Sequence, residues 1–240
     1  MHSTEHLGPR KIIGFFDGTV FITETVLLAL IIAAVMIIFA LLSARKLERE
    51  PKGLQLIAEI IVSTIYNFTT RTMGEKNKKF APYIGTLFIF LLLANSAGLF
   101  GFRPVTADVN TAFALSIITF CLIQASSMKS KGIKGHIKHY GDPYPFMFPI
   151  KIIEDVAFPI SLAFRLFGNI TGGMIVMALA FQGLESLSRN LGSKIPFLQF
   201  LIPLPLNLFF DVFEPILQAF IFTMLTMSFV TMATMGHEDH

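Results

Sequence analysis

The chain has 240 residues, of which 53% are hydrophobic and 15% are charged, and its formal net charge is +3. Because soluble domains carry about 25% charged residues, this composition excludes an ordinary soluble globular protein and predicts an integral protein of a lipid bilayer. The basic residues lie in loops between apolar segments, so nucleic acid is excluded as a partner, and the single Cys121 excludes an intrachain disulfide.

The first apolar run, residues 26–44, has the length of a spanning helix and is followed by a basic cluster at 45–52. A cleavable signal peptide is the alternative. Against it, Asp17 and Glu24 precede the run, and no A-x-A cleavage site follows. We therefore predict a first transmembrane helix behind an external N-terminal tail.

Residues 54–70 are apolar as well, yet they lie between two basic loops. Because basic loops stay in the cytoplasm, this segment cannot cross the bilayer, and we predict a helix along the inner interface. Glu59 is expected to point at a partner or at lipid headgroups. Residues 1–80 thus comprise the tail, the first spanning helix and the interfacial helix.

Residues 81–145 are predicted to form a transmembrane helix pair and a basic cytoplasmic loop. The run 82–102 spans outward, and after a short external turn Asp108 caps a return helix that ends at Gln124. The following loop, residues 128–139, contains four lysines and is therefore expected on the inside.

Residues 146–240 hold two apolar runs, 146–184 and 195–235, each of about 40 residues. A helix of that length is about 60 Å long, twice the hydrocarbon thickness. We expect one strongly tilted helix in each run, and two half-spans per run are the alternative. Kinks are expected at Pro159, Pro203, Pro205 and Pro215. The turn between the runs is expected to contain Gly183, Arg189, Asn190 and Gly192.

One crossing per run gives an all-α integral membrane protein with five transmembrane helices and one interfacial helix. The two long C-terminal helices form a tilted hairpin that carries the functional residues. This arrangement places the N-terminus outside, the C-terminus in the cytoplasm and every strongly basic loop in the cytoplasm.

Arg165 is the residue that most strongly indicates function. Its guanidinium is permanently charged, and a charge at bilayer depth costs about 2.5 to 3.5 kcal/mol on insertion scales. It shares a helix face with Glu154, Ser161, Asn169 and Gly172. The last helix carries a second polar stripe, formed by Asn207, Asp211, Glu214 and Gln218. Helix packing would explain Ser161 and Asn207, but three carboxylates and an arginine exceed what packing requires.

The order of the acids along the two helices predicts an ion path. Glu154 and Asp155 lie on the cytoplasmic side of Arg165, and Asp211 and Glu214 lie on the external side. If Gln218 lies near Arg165, the permanent cation stands between these two sets of acids. This is the layout of two offset half-channels separated by a barrier, so that an ion could reach the middle from either side without passing straight across.

Four sequence runs resemble the a subunit of bacterial F-type ATP synthases, in the order and at the spacing of that family. They are PVTADVN at 104–110, MKSKGI at 128–133, SLAFRLFGN at 161–169 and LQAFIFTML at 217–225. The resemblance covers most of the chain from about residue 82 onward and is most specific around the arginine of the third run.

The resemblance implies roles for the polar residues on both long helices. Arg165 would be the stator arginine that faces a ring of c subunits, with Gln218 as its neighbour on the last helix and Asn169 in the same motif. Glu154 and Asp155 correspond to acids near the inner path in bacterial relatives.

One departure from the family pattern concerns the external acid. Many relatives carry an acid where this chain has Met174, and often a histidine where it has Asp211. The external acid is therefore expected on the last helix, and the choice between Asp211 and Glu214 stays open. Two carboxylates three residues apart on one helix face are expected to share a proton. The sequence leaves H⁺ and Na⁺ open as the coupling ion, and Na⁺ near these acids is the one metal it allows.

The resemblance further implies a non-catalytic, ion-translocating subunit without a cofactor. Its implied partners are the c-subunit ring, the b subunits of the peripheral stalk and the remainder of the ATP synthase, in the inner (plasma) membrane of a bacterium. A secondary transporter with its own intramembrane site is the alternative, but the two halves show no internal repeat. Residues 237–240 lack the spacing of a helical H-E-x-x-H metal site, and no Gly-rich lysine loop for phosphates is present.

Overall fold

The computed structural model describes residues 11–15, 20–45, 48–140, 146, 148–190 and 203–234. Within these ranges the chain is mainly helical, with short non-helical connections such as 48–53 and 101–104, and residues near its start form a short antiparallel hairpin of β1 (Lys11–Phe15) and β2 (Val20–Thr23). The hairpin lies where the sequence predicted an external tail. Its β2 strand runs directly into the first helix, so it is joined to the bundle without a linker.

The principal helices are α1 (Glu24–Ala44), α2 (Leu54–Met73), α3 (Ala81–Asn95), α4 (Val109–Tyr140), α5 (Phe148–Asn190), α6 (Pro203–Asn207) and α7 (Glu214–Thr234). Short 3₁₀ segments, Glu75–Phe80, Ser96–Phe100 and Val105–Ala107, flank α3 and precede α4. A π-helical segment, Leu208–Phe213, joins α6 to α7.

In the part of the chain that the structure describes, five helical stretches are long and apolar enough to cross a membrane: Glu24–Ala44, Glu75–Phe100, Val109–Gly132, Phe148–Asn190 and Pro205–Thr234. The predicted all-α membrane fold with five spans and one further helix is confirmed. The further helix is α2, which packs on the bundle, since its Ile65 meets Gly85 of α3 and its Phe68 ring lies 6.1 Å from that of Phe220.

Two predicted helix ends are wrong. Helix α4 continues past Gln124 and through the lysine-rich segment, because lysine and serine are compatible with a helix, and the break comes only at Gly132, whose φ is 70°. Helix α5 likewise includes Gly183, Arg189 and Asn190, which were predicted to form a turn. An ion pair between Glu185 and Arg189, one turn apart, supports this last part of the helix. Gly192 lies outside the described residues.

The first long run is one continuous helix, so the half-span alternative is wrong for α5. Pro159 lies inside it, and the buried hydroxyl of Ser116 on α4 donates a hydrogen bond to the carbonyl of Pro159. In the second run the irregularity is the π-helical segment just before Pro215, where the backbone N–H of Glu214 bonds to the carbonyl of Phe209. This five-residue spacing is the signature of a π-bulge, a feature frequent at functional sites.

The main core lies where α3, α4, α5 and α7 meet. Its buried members are Leu87, Leu91, Ala112, Leu162, Ala163, Leu166, Ala219 and Phe222. A second cluster, centred on Met227 and Val230, fills the predicted cytoplasmic half. Many large apolar side chains outside these clusters are exposed, as expected of surfaces in contact with lipid.

Candidate functional site

Helix α5 has a buried face and an open face. Leu162 and Leu166 are buried against the bundle, whereas Arg165 is half-buried and Ser161 and Asn169 are exposed. The predicted polar stripe therefore lies on the outer surface of the four-helix core. Among the described residues, no carboxylate lies within ion-pair distance of the Arg165 guanidinium.

Gln218 connects the last helix to this arginine. Its Nε2 donates a 2.9 Å hydrogen bond to the backbone carbonyl of Arg165, and the side chain is 1% exposed. Leaving this amide unpaired in an apolar interior would cost about 1 to 3 kcal/mol. The hydrogen bond therefore holds Gln218 of α7 beside Arg165 of α5. Because the bond uses the backbone, the guanidinium keeps its donors for another partner.

A cavity of about 310 Å³ lies beside the guanidinium. We call it the arginine cavity; its polar lining is Glu154, Ser161 and Arg165, and its apolar lining includes Phe158, Leu225 and Phe229. Three of the predicted site residues therefore line the same cavity. Asn169 lies one turn further along the same open face and does not line this cavity.

A second cavity, of about 200 Å³, lies nearer the predicted cytoplasmic end. We call it the lysine cavity; its polar lining is Gln124, Ser127, Lys131, Lys151, Glu154 and Asp155. Asp155 is oriented by Gln124 of α4, whose Nε2 donates a 2.7 Å hydrogen bond to Asp155 Oδ2. Sequence reasoning missed Gln124, since it appeared there only as the end of a helix.

The two outer acids contact different elements. Asp211 faces the 3₁₀ segment Ser96–Phe100, since a Cβ atom built on Gly98 would lie 3.4 Å from its Oδ1. Glu214 faces α5, where a Cβ built on Gly173 would lie 3.1 Å from its Oε2. The expectation that the acids share one face assumed a regular α-helix. The π-helical segment widens the turn between them and separates their directions.

Glycines at these two positions leave room for the carboxylates. At Gly173 the space is especially narrow, since a Cβ atom would also come within 2.8 Å of Cδ1 of Phe210. No sequence pattern predicted a role for either glycine, because each lies against a side chain that is far away along the chain.

Asp108 is a further acid that sequence reasoning treated only as a helix cap. It does cap α4, accepting a 3.0 Å bond from the backbone N–H of Asn110. Its other oxygen accepts a 2.8 Å bond from the hydroxyl of Thr25, which is bonded to Thr23. Asp108 therefore joins the start of α1 to the start of α4, and all three side chains are buried.

The described part of the chain contains no group of three or more His, Cys, Asp or Glu side chains that could hold a metal ion. The acids instead stand singly or in pairs along the helices.

Comparisons with known proteins agree on one family. A family model described as ATP synthase A chain matches residues 26–231. The chain is 33% identical over 233 residues to ATP synthase subunit a of Moorella thermoacetica, covering 97% of this chain and 99% of the relative. It is 38% identical over 205 residues to ATP synthase subunit a 3 of Pelobacter propionicus, covering 83% and 82%. It is also 32% identical over 225 residues to the sodium-ion-specific ATP synthase subunit a of Propionigenium modestum, covering 87% and 73%.

Proposed function

The chain belongs to the ATP synthase A chain family, and on that premise we propose that it is the stator ion-channel subunit of the ATP synthase membrane sector. Its two half-channels are separated by Arg165, and they couple ion flow to rotation of a c-subunit ring. The subunit performs no catalysis itself. It lies in the plasma membrane with the N-terminus outside and the C-terminus in the cytoplasm, beside the b subunits of the peripheral stalk.

One observation carries this proposal: Arg165 is fixed through its backbone by Gln218, while its side chain lies on an open helix face. A buried transporter site would instead enclose the charge among the helices of the chain itself. A permanent cation on an outer face requires a counter-ion from a neighbouring subunit, because exposure to lipid alone is costly. A carboxylate on each subunit of a rotating ring meets that requirement.

The arginine acts by favouring the charged form of that carboxylate. Two opposite unit charges 4 Å apart attract by about 4 kcal/mol at an effective dielectric constant of about 20. A ring carboxylate that arrives carrying its ion therefore releases the ion near Arg165. Direct passage of a second cation through the same place is opposed by a repulsion of similar size, so the ion leaves and reloads by different routes.

The arginine cavity and the lysine cavity support an inner route along α5. Glu154 lines both of them, and Asp155 lines the lysine cavity. The outer route starts at Asp211, which approaches the 3₁₀ segment Ser96–Phe100, and at Glu214, which approaches α5. The relatives include a sodium-specific subunit, and the oxygen groups of this path suit either H⁺ or Na⁺.

Replacing the arginine tests the proposal. Arg165→Ala is expected to abolish ATP synthesis and ATP-driven ion pumping, while passive ion leak through the membrane sector persists or rises, because the barrier between the half-channels is gone. Both activities are measured in inverted membrane vesicles. Arg189→Ala is the matched control, since this arginine is exposed, lies on the same helix and pairs only with Glu185 among the bonds described for it. Normal ATP-driven pumping by Arg165→Ala would disprove the proposed role.

A further inference from the structure

The arginine cavity and the lysine cavity meet at a common wall of three side chains, Glu154, Phe158 and Phe229. We propose that the two phenylalanines form an aromatic constriction on the inner half-channel, which limits water and ion access to Arg165. This inference rests on the proposed function, because it assigns a role within the inner route. Phe158 and Phe229 are apolar, whereas the other residues that we assign to the inner route are polar.

The two rings close the space between α5 and α7. The centroids of Phe158 and Phe229 lie 4.1 Å apart, and the ring planes are inclined by 51°. Rings at that separation are in van der Waals contact, so no water molecule fits between them. On one side of the pair lies Arg165, and on the other side lie the two lysines of the lysine cavity.

The backbone on both sides of the pair is fixed. Next to Phe158, the carbonyl of Pro159 accepts a hydrogen bond from Ser116. Next to Phe229, Val230 is 0% exposed and belongs to the second core cluster. The constriction can therefore widen through rotation of the rings themselves, which takes far less energy than separating the two helices.

The chemistry of the common wall explains how an ion would pass. An apolar constriction excludes water by dewetting, and that exclusion opposes a fully hydrated ion. Glu154 borders both cavities, so its carboxylate offers a polar surface at the level of the rings. The ion moves along this carboxylate, while continuous water is kept away from Arg165. Asp155, which accepts a hydrogen bond from Gln124, lines the lysine cavity but not the arginine cavity.

Thiol labelling measures access across the rings. The assay uses intact ATP synthase in inverted vesicles, a small water-soluble methanethiosulfonate reagent and a Cys121→Ser background. Ser161→Cys reports on the arginine cavity, and Met232→Cys reports on the lysine cavity. Phe229→Ala is expected to accelerate labelling at position 161 by roughly fivefold or more, because the dewetting barrier falls by about 1 kcal/mol or more. Labelling at position 232 is expected to stay unchanged.

Two controls separate the constriction from general loosening. Phe229→Leu keeps most of the apolar bulk and is expected to leave labelling at position 161 near the unsubstituted rate. Phe68→Ala removes one ring of the Phe68–Phe220 pair, and neither of these residues lines either cavity. This substitution is expected to leave labelling at position 161 unchanged. If Phe229→Ala fails to assemble, Phe158→Ala carries the same expectation.

An unchanged labelling rate at position 161 in the assembled alanine variant would overturn the inference, and so would an equal acceleration by Phe68→Ala. Failure of the constriction is distinguishable from failure of the proposed function. If Arg165→Ala is uncoupled but the ring variants leave access unchanged, only the constriction is wrong. If Arg165→Ala still pumps normally, the proposed function is wrong whatever the labelling shows.

Discussion

Gly173→Ala is expected to impair ion flux through the outer half-channel by crowding Glu214. The new Cβ atom would lie 2.8 Å from Cδ1 of Phe210 and 3.1 Å from Oε2 of Glu214. Overpacking of this kind costs about 1 to 3 kcal/mol. If that energy is added to the barrier to ion transfer, flux falls by a factor between about 5 and 160.

Gly183→Ala is the matched control for this substitution. A Cβ at Gly183 would meet nothing within 4 Å, and both glycines lie in α5. Each alanine gains about 1 kcal/mol in helix propensity, so the difference between the two variants isolates the steric effect. The assay compares ATP-driven pumping, passive flux and the amount of assembled complex in inverted vesicles.

A rescue variant identifies the cause. In the double substitution Gly173→Ala with Phe210→Leu, the smaller side chain makes room for the added methyl group, so flux is expected to recover at least in part. Equal flux in the Gly173→Ala and Gly183→Ala variants would refute the reasoning. So would a loss of flux explained entirely by a smaller amount of assembled complex.

Two further predictions concern the outer acids and the topology. Asp211→Asn and Glu214→Gln are each expected to reduce ion flux, and the double substitution is expected to nearly stop it, because each acid lies against a different element beside the proposed outer route. Wild-type ATP synthesis by the double variant would assign the outer half-channel to other residues. In a Cys121→Ser background, Arg49→Cys and Lys76→Cys are both expected to react with an impermeant thiol reagent only from the cytoplasmic face, since both positions are exposed and flank α2, which we predict to lie along the inner interface. Labelling from opposite faces would mean that α2 crosses the bilayer.

The sequence alone predicted the membrane class, the five spans and the extra helix. These features follow from the length and hydropathy of local segments, which need no knowledge of what each segment touches. The helix ends were less predictable. The lysine-rich segment of α4 and the last turns of α5 carry polar residues, but polarity alone does not end a helix, and a backbone break such as that at Gly132 does.

The sequence also identified Arg165 as a candidate functional residue, because a permanently charged guanidinium in an apolar helix is costly and does not serve packing. Tertiary structure decided what each polar group meets. The bond from Gln218 to a backbone carbonyl, the support of Asp155 by Gln124 and the placement of Glu214 against Gly173 all join distant parts of the chain. These contacts depend on how each helix is rotated about its axis, and a π-helical segment changes that rotation for every side chain that follows it. Local patterns of hydrophobicity fix the lengths of the helices, whereas packing between helices fixes their rotation, and that is why the neighbours of each polar group could be identified only in the folded chain.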